Sequence, residues 1–162
     1  MKNASQPIRM NLAKSKNQGA AVEPDQRVAR PIAETVGFLP PICNMPLPRN
    51  PYFTGRKSTL SKLRADFDAD RHTVSTQVVK GLGGIGKTQI ALEFAYRYAS
   101  DYQAIWWVRA EDPDFLSSDY ASFATALNLP EKKNKRPEII ISGVNRWLEK
   151  NRDWLLILDN VK

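Results

Sequence analysis

The feature that most constrains this sequence is a glycine-rich turn between a β-rich segment and an amphipathic one. The turn reads Gly81-Leu82-Gly83-Gly84-Ile85-Gly86-Lys87-Thr88 and matches the pattern Gly-x-x-x-x-Gly-Lys-Thr at every required position. The preceding residues 74–79 are rich in β-forming side chains, and apolar residues recur at helical spacing over 90–98. A strand, a glycine turn and a helix in this order predict backbone N–H groups that converge on the phosphates of a nucleotide.

The residue types within the turn predict separate roles in nucleotide binding. Glycine permits the tight bend and the close approach of backbone to phosphate. Lys87 is expected to reach the β- and γ-phosphate oxygens, and the Thr88 hydroxyl is expected to ligate Mg²⁺. A glycine turn without a ligand would explain the bend but not the Lys-Thr pair. The predicted nucleotide-contacting residues here are Gly81, Gly83, Gly84, Ile85, Gly86, Lys87, Thr88 and Gln89.

Composition limits the class of protein. The 162 residues have room for one domain, and 42% of them are hydrophobic. Residues 1–60 carry nine Lys and Arg against three acidic residues, a net +6 that leaves +1 of the total +7 for residues 61–162. The basic charge is therefore assigned to a leader, and no specific nucleic-acid surface is expected. No apolar run could span a bilayer, and the single Cys43 agrees with a reducing compartment, so a cytoplasmic location is predicted.

The chain divides into two parts that differ in amino-acid composition. Residues 1–48 are basic and proline-rich and are expected to form a disordered leader, and residues 49–162 are expected to form the N-terminal part of a nucleotide-binding domain. The predicted helices cover about 58–67 and 86–99, with two more opening at Asp112-Pro113 and Pro137. The predicted strands cover about 74–80, 104–108 and 154–158.

This alternation predicts the fold class. Strands separated by helices favour a three-layer α/β/α domain with a parallel sheet. The strand containing Trp106 and Trp107 is a continuous apolar run, which suits burial on both faces of such a sheet. Both tryptophans are therefore expected in the core rather than stacked on a base.

An acidic residue at the end of the last strand completes the predicted site. Asp159 follows four apolar residues, as in a Walker B strand, and is expected to hold Mg²⁺ together with Thr88. The next residue, Asn160, can orient a water molecule but cannot accept its proton. No other acid is an obvious substitute in the sequence. Slow ATP hydrolysis is thus the most that is expected, and no catalytic residue is assigned.

Five segments in this order resemble the start of an NB-ARC domain, the nucleotide-binding switch of STAND-type signalling ATPases. The segments are 50–56, 81–88, 91–96, 105–109 and 154–160. The likeness is to bacterial and fungal members that carry tetratricopeptide repeats. It implies a P-loop NTPase fold, ADP or ATP as the cofactor with Mg²⁺, and a slow on/off switch. It also implies that Phe53, Thr54, Gly55 and Arg56 help to enclose adenine and ribose, although a helix-entry turn would look the same.

The resemblance also implies an incomplete sheet. In this family the sensor strand lies between the two Walker strands, and the sequence ends at Lys162 without it. We therefore expect a fragment in which the two strands lack a common partner, an arrangement that invites association with another chain. Self-association or pairing with a full-length homologue through that open edge is the alternative function. A nucleic-acid-dependent AAA+ ATPase is a third hypothesis, which the near-neutral domain and Asn160 disfavour.

Overall fold

A computed structural model describes residues 8–15, 38–69, 75–81 and 86–161, with backbone alone for 8–15 and 75–81. The strands are β1 (Ile8–Ser15), β2 (Ile42–Cys43), β3 (Ser75–Gly81), β4 (Ala104–Arg109) and β5 (Trp154–Val161). The helices are α1 (Lys57–Ala69), α2 (Lys87–Arg97), α3 (Pro113–Ala126) and α4 (Pro137–Lys150), with short 3₁₀ turns at Ala99–Asp101 and Pro130–Lys133.

The strands form one sheet in the order β2-β4-β5-β1-β3. β2, β4 and β5 are parallel, whereas β1 is antiparallel to both of its neighbours. β3 therefore runs in the same direction as β5, with β1 reversed between them. This mixed α/β architecture is compatible with an incomplete P-loop fold.

The position of β1 differs from the sequence-based expectation. Residues 1–48 are predicted to be disordered, but Ile8–Ser15 pairs with β3 from Ile8↔Gly81 to Lys14↔Ser75 and with β5 from Ser15↔Trp154 to Arg9↔Val161. The two strands expected to lack a common partner thus share one. Ile8, Met10 and Leu12 alternate with polar or small residues, a period-two pattern that favours a strand and that the overall polarity of the leader obscures.

The later part of the predicted leader is also anchored to the sheet. β2 pairs with β4. The Asn44 side chain makes two hydrogen bonds to the backbone of Trp107, one as a donor and one as an acceptor. Its Nδ2 donates to the Trp107 carbonyl at 2.8 Å and its Oδ1 accepts from the Trp107 N–H at 2.6 Å. Asn44 therefore satisfies backbone groups at the edge of β4 that the two-residue strand β2 leaves unpaired.

The helices lie close to their predicted positions. The side chain of Asp112 accepts a hydrogen bond from the Asp114 N–H at 2.8 Å, and Pro113 occupies the first turn of α3. This confirms the predicted start of α3, because the cap satisfies a helix N–H that has no intrahelical acceptor. Proline also opens α4 at Pro137. The last strand extends to Val161, beyond the predicted end at Asp159.

Alternate residues of β4 and β5 enter two separate cores. Ile105, Trp107, Leu155 and Ile157 pack with α1 and α2 on one face of the sheet. On the other face, residues of the opposite parity pack with α3 and α4. Both Trp106 and Trp107 are buried, which confirms their predicted role in the core.

One residue of α3 departs from its predicted environment. The apolar spacing of this helix predicts Phe115 in the core, but Phe115 is 44% exposed, and the Arg109 guanidinium lies 4.5 Å from its ring centroid. Phe123, on the same helix, is 1% exposed and stacks on Trp106 at 4.6 Å. Helical spacing alone places both rings on the apolar stripe, but only Phe123 belongs to the buried core.

These two phenylalanines provide a test of the packing. Phe123→Ala should lower the free energy of unfolding by about 3–5 kcal/mol, because it removes a buried ring and leaves a cavity. Phe115→Ala, in the same helix, should cost clearly less, since the Phe115 ring is partly exposed and its removal leaves no enclosed cavity. Urea denaturation followed by tryptophan fluorescence measures both, and equal losses would contradict this arrangement of α3.

Candidate functional site

Of the glycine turn, the structure describes the last residue of the preceding strand, Gly81, and the end that enters α2, Gly86 to Thr88. Gly86 precedes α2 in the left-handed conformation, at φ 75° and ψ 25°. A side chain at this position would be strained by the backbone rather than by crowding, since a Cβ atom there would meet nothing within 4 Å. Gly81 is the last residue of β3 and pairs with Ile8. The predicted contacts Gly83, Gly84 and Ile85 lie outside the described residues.

Lys87 and Thr88 form the first turn of α2. The Lys87 side chain is only 7% exposed, whereas Thr88 and Gln89 are half-buried. The first turn contains no acidic residue, and Gly86 supplies no side-chain cap. The partial positive charge of this helix end therefore has no anionic side chain in the first turn to neutralise it.

Asp159 lies near the C-terminal end of β5, beside the C-terminal end of the parallel strand β4. It pairs with Arg109 of β4, and its carbonyl accepts a hydrogen bond from the Ala110 N–H at 2.8 Å. The Oδ1 atom of its side chain is buried and has no hydrogen-bond partner. A buried carboxylate oxygen without a donor is costly, so it fits a position that a cation or a bound water would complete.

Two charged groups, Lys87 of the predicted site and Glu111, shift the pKa of Asp159. Burial raises the pKa of its carboxyl above the usual range, and the negative charge of Glu111 raises it further. Hydrogen bonds from the Asn160 N–H and the Trp107 side chain oppose this rise in pKa, as does the positive charge of Lys87. Asp159 therefore lies within electrostatic range of both Lys87 and Glu111, on a strand that contacts α2.

Glu111 is the residue that the sequence interpretation missed. It follows β4, and its Oε2 accepts a hydrogen bond from Nδ2 of Asn160 at 2.6 Å. Asn160 has φ 59°, a left-handed conformation that asparagine tolerates better than most residues. The position of Glu111 just after a predicted parallel strand was the available sequence signal. The carboxyl ends of adjacent parallel strands lie at the same edge of the sheet, which brings such an acid near the end of the neighbouring strand.

The predicted adenine-enclosing segment forms the turn that enters α1. Gly55 and Arg56 have positive φ values of 73° and 55°, and the Arg56 carbonyl accepts the Leu60 N–H at 3.0 Å. Phe53 is half-buried against the core that contains α1 and α2, and Thr54 is exposed. These facts agree with a helix-entry turn, and contact of the segment with a nucleotide stays a prediction.

An ion-pair cluster fixes the preceding segment to α2. Glu93 is 3% exposed, and it accepts hydrogen bonds from Arg49 at 2.9 and 3.0 Å and from Arg97 at 2.7 and 3.2 Å. Burial alone would raise the pKa of Glu93, but these two guanidinium groups hold it below the usual value. Arg49, one of the basic residues within the first 60, thus makes a partly exposed ion pair with a buried carboxylate.

The described residues contain no cluster of three or more His, Cys, Asp or Glu suited to a metal ion. A magnesium site of the predicted type does not require such a cluster, since Mg²⁺ commonly takes one carboxylate, substrate phosphates and water. Thr88 and the unpartnered oxygen of Asp159 fit that donor set. Across the same part of the chain, no helix has the length and apolar character needed to cross a membrane.

Comparison with known proteins gives one coarse relationship. No protein-family model and no solved structure matches the chain. The sequence is similar to a "Nucleotide-binding leucine-rich repeat (NLR)-like protein" of Hyaloscypha variabilis, with 25% identity over 125 residues. The alignment covers 72% of this chain and 12% of that protein. The chain thus has a distant relationship to an NLR-like protein and spans a small part of its length.

The opposite pKa shifts of two aspartates predict opposite effects of removing their charges. The raised folded-state pKa of Asp159 means that its contribution to stability is lost as pH rises through that pKa. The pKa of Asp119 is lowered because hydrogen bonds from Arg109 outweigh its burial. The contribution of Asp119 is therefore present at neutral pH and is lost as pH falls through its folded-state pKa.

Asp159→Asn should accordingly raise the Tm in metal-free buffer at neutral pH, with a gain that shrinks in acid. Asp119→Asn should lower the stability at neutral pH by up to about 1 kcal/mol, with a loss that also shrinks in acid. Thermal melts at neutral and mildly acidic pH measure both variants. A loss of stability in both at neutral pH would contradict the electrostatics described for Asp159.

Proposed function

We propose that this chain binds ADP or ATP with Mg²⁺ and acts as the nucleotide-binding module of an NB-ARC-type signalling ATPase, in the cytoplasm. The observation that carries the proposal is the buried Asp159 carboxylate oxygen without a hydrogen-bond partner, in a carboxylate on which the charge of Lys87 acts. Gly86 and the uncapped start of α2 support a phosphate position beside Lys87. The similarity to an NLR-like protein agrees with a signalling module of this kind.

Each group has a distinct role in this proposal. The N–H groups at the start of α2 and the Lys87 ammonium bind the phosphates. The Thr88 hydroxyl and the Asp159 carboxylate hold Mg²⁺, which neutralises phosphate charge when bound. The turn at 53–56 borders the base and ribose. Adenine is preferred because of the family resemblance, since the phosphate-binding residues do not contact the base.

The alternative function is association with another chain that inserts between the strands at 75–81 and 154–161. This alternative has less support. That function requires the two strands to present unpaired backbone groups to another chain. β1 pairs with both strands along this gap. A partner that enters there would first have to displace β1.

Replacing Lys87 tests the phosphate site. The parent chain should bind MgADP with a Kd in the high micromolar range, about −5 to −6 kcal/mol. Lys87→Ala should weaken this binding at least about tenfold, because the ammonium supplies a direct charge to the phosphates. Isothermal titration with MgADP and MgATP measures the loss, with circular dichroism to show unchanged helical content.

Lys150→Ala provides the matched control, since Lys150 is an exposed residue at the end of α4. It removes the same charge on the other face of the sheet and should leave the Kd unchanged. Equal binding by the Lys87 variant and the parent would refute the phosphate site. Titration with MgGDP in parallel determines whether the base is selected.

A further inference from the structure

The edge of the sheet that carries Asp159 presents a second carboxylate, that of Glu111. Arg109 is the register partner of Asp159 across the parallel pair, so Glu111 lies two residues past that point, just before α3 begins. It is half-buried, and its charge acts on that of Asp159. The like charges of Glu111 and Asp159 repel each other, and the positive charges of Arg109 near Glu111 and of Lys87 near Asp159 oppose this repulsion.

The Asn160 amide determines the orientation of Glu111. Its Nδ2 donates to Oε2 of Glu111 at 2.6 Å, a contact between residues 49 positions apart in sequence. The same residue follows Asp159 in β5, so its N–H acts on the Asp159 carboxylate while its side chain orients Glu111. Within the described part of the chain, Glu111 makes no other hydrogen bond, which leaves its second oxygen able to accept one.

The two carboxylates have different surroundings and therefore suit different tasks. The unpartnered oxygen of Asp159 is buried, within range of Lys87, where it suits a phosphate-bound cation. Glu111 is outside this buried position and is held by a neutral amide donor. Water activation requires a carboxylate that can accept a proton, and an amide such as that of Asn160 cannot do so.

We propose that Glu111 is the catalytic base for hydrolysis of the bound nucleotide and that Asn160 is its positioning residue. This inference rests on the proposed binding of ATP. The water oxygen forms a bond to the γ-phosphorus, and the bond from that phosphorus to the β–γ bridging oxygen breaks. ADP leaves with the electron pair of that bond. Glu111 accepts the water proton during attack and then releases it to solvent.

The proposal predicts a loss of turnover without a loss of affinity. In single-turnover assays with MgATP, Glu111→Gln should lower the rate at least about 10²-fold, in line with typical general-base contributions. The Kd for MgADP should stay within about twofold of the parent. Asn160→Ala should lower kcat about tenfold with little change in KM, since it releases Glu111 without removing its carboxylate.

Two further variants separate chemistry from structure. Glu149→Gln, an exposed glutamate on α4, should hydrolyse at the parent rate. Glu111→Ala should be inactive and should regain activity when formate is added, because formate can supply a carboxylate in the space left by the side chain. A purely structural role for Glu111 predicts no such rescue.

The outcomes distinguish this inference from the proposed function. If the parent chain does not bind MgATP, both fail. If the parent binds but does not hydrolyse, or if Glu111→Gln hydrolyses at the parent rate, the assignment of Glu111 fails while nucleotide binding stands. Normal affinity, slow turnover in Glu111→Gln and formate rescue of Glu111→Ala together support it.

Discussion

The double pairing of β1 is the constraint on which the geometry of the site depends. Ile8–Ser15 is the only described segment that pairs with both β3 and β5, so its two ladders determine how the strand leading into the glycine turn lies relative to the strand carrying Asp159. Backbone hydrogen bonds from β1 also occupy the facing edges of these two strands, so another chain could pair there only by displacing β1. A segment far from both in sequence thus contributes to the placement of Lys87 relative to Asp159, together with the direct packing of α2 on β5.

The second determinant is the parallel pair of β4 and β5. Parallel strands end at the same edge, so Glu111 after β4 and Asp159 on β5 come together there, and α2 places Lys87 within range of Asp159. Buried aromatic packing on both faces supports this pair, through α1 and α2 on one side and α3 and α4 on the other. The arrangement combines the positive charge of Lys87, a carboxylate oxygen of Asp159 without a hydrogen-bond partner and the oriented carboxylate of Glu111, the groups that the proposed hydrolysis uses.

Much of this arrangement could be predicted from local sequence patterns. The proline-led helices α3 and α4 and the apolar strands β4 and β5 follow from short-range preferences, and they lie close to their predicted positions. The features that the sequence did not predict depend on pairing between segments far apart in sequence. β1 is a short period-two pattern within a polar leader, and only the gap between two strands makes it part of the sheet. Glu111 is an ordinary loop residue in sequence, and only the register of β4 on β5 brings it to Asn160. Phe115 fits the apolar period of α3 but stays partly exposed beside the Arg109 guanidinium.

The most direct test of the central claim, that β1 joins the glycine turn and the end of β5 into one nucleotide site, is amide hydrogen exchange with and without saturating MgATP. We predict slow exchange in β1 without nucleotide, comparable to that in β5, because its amides are paired on both sides. Nucleotide should further slow exchange in residues 81–90, in 156–161 and in β1, and should leave α4 unchanged. Unprotected β1 amides, or protection by nucleotide confined to the glycine turn, would contradict it.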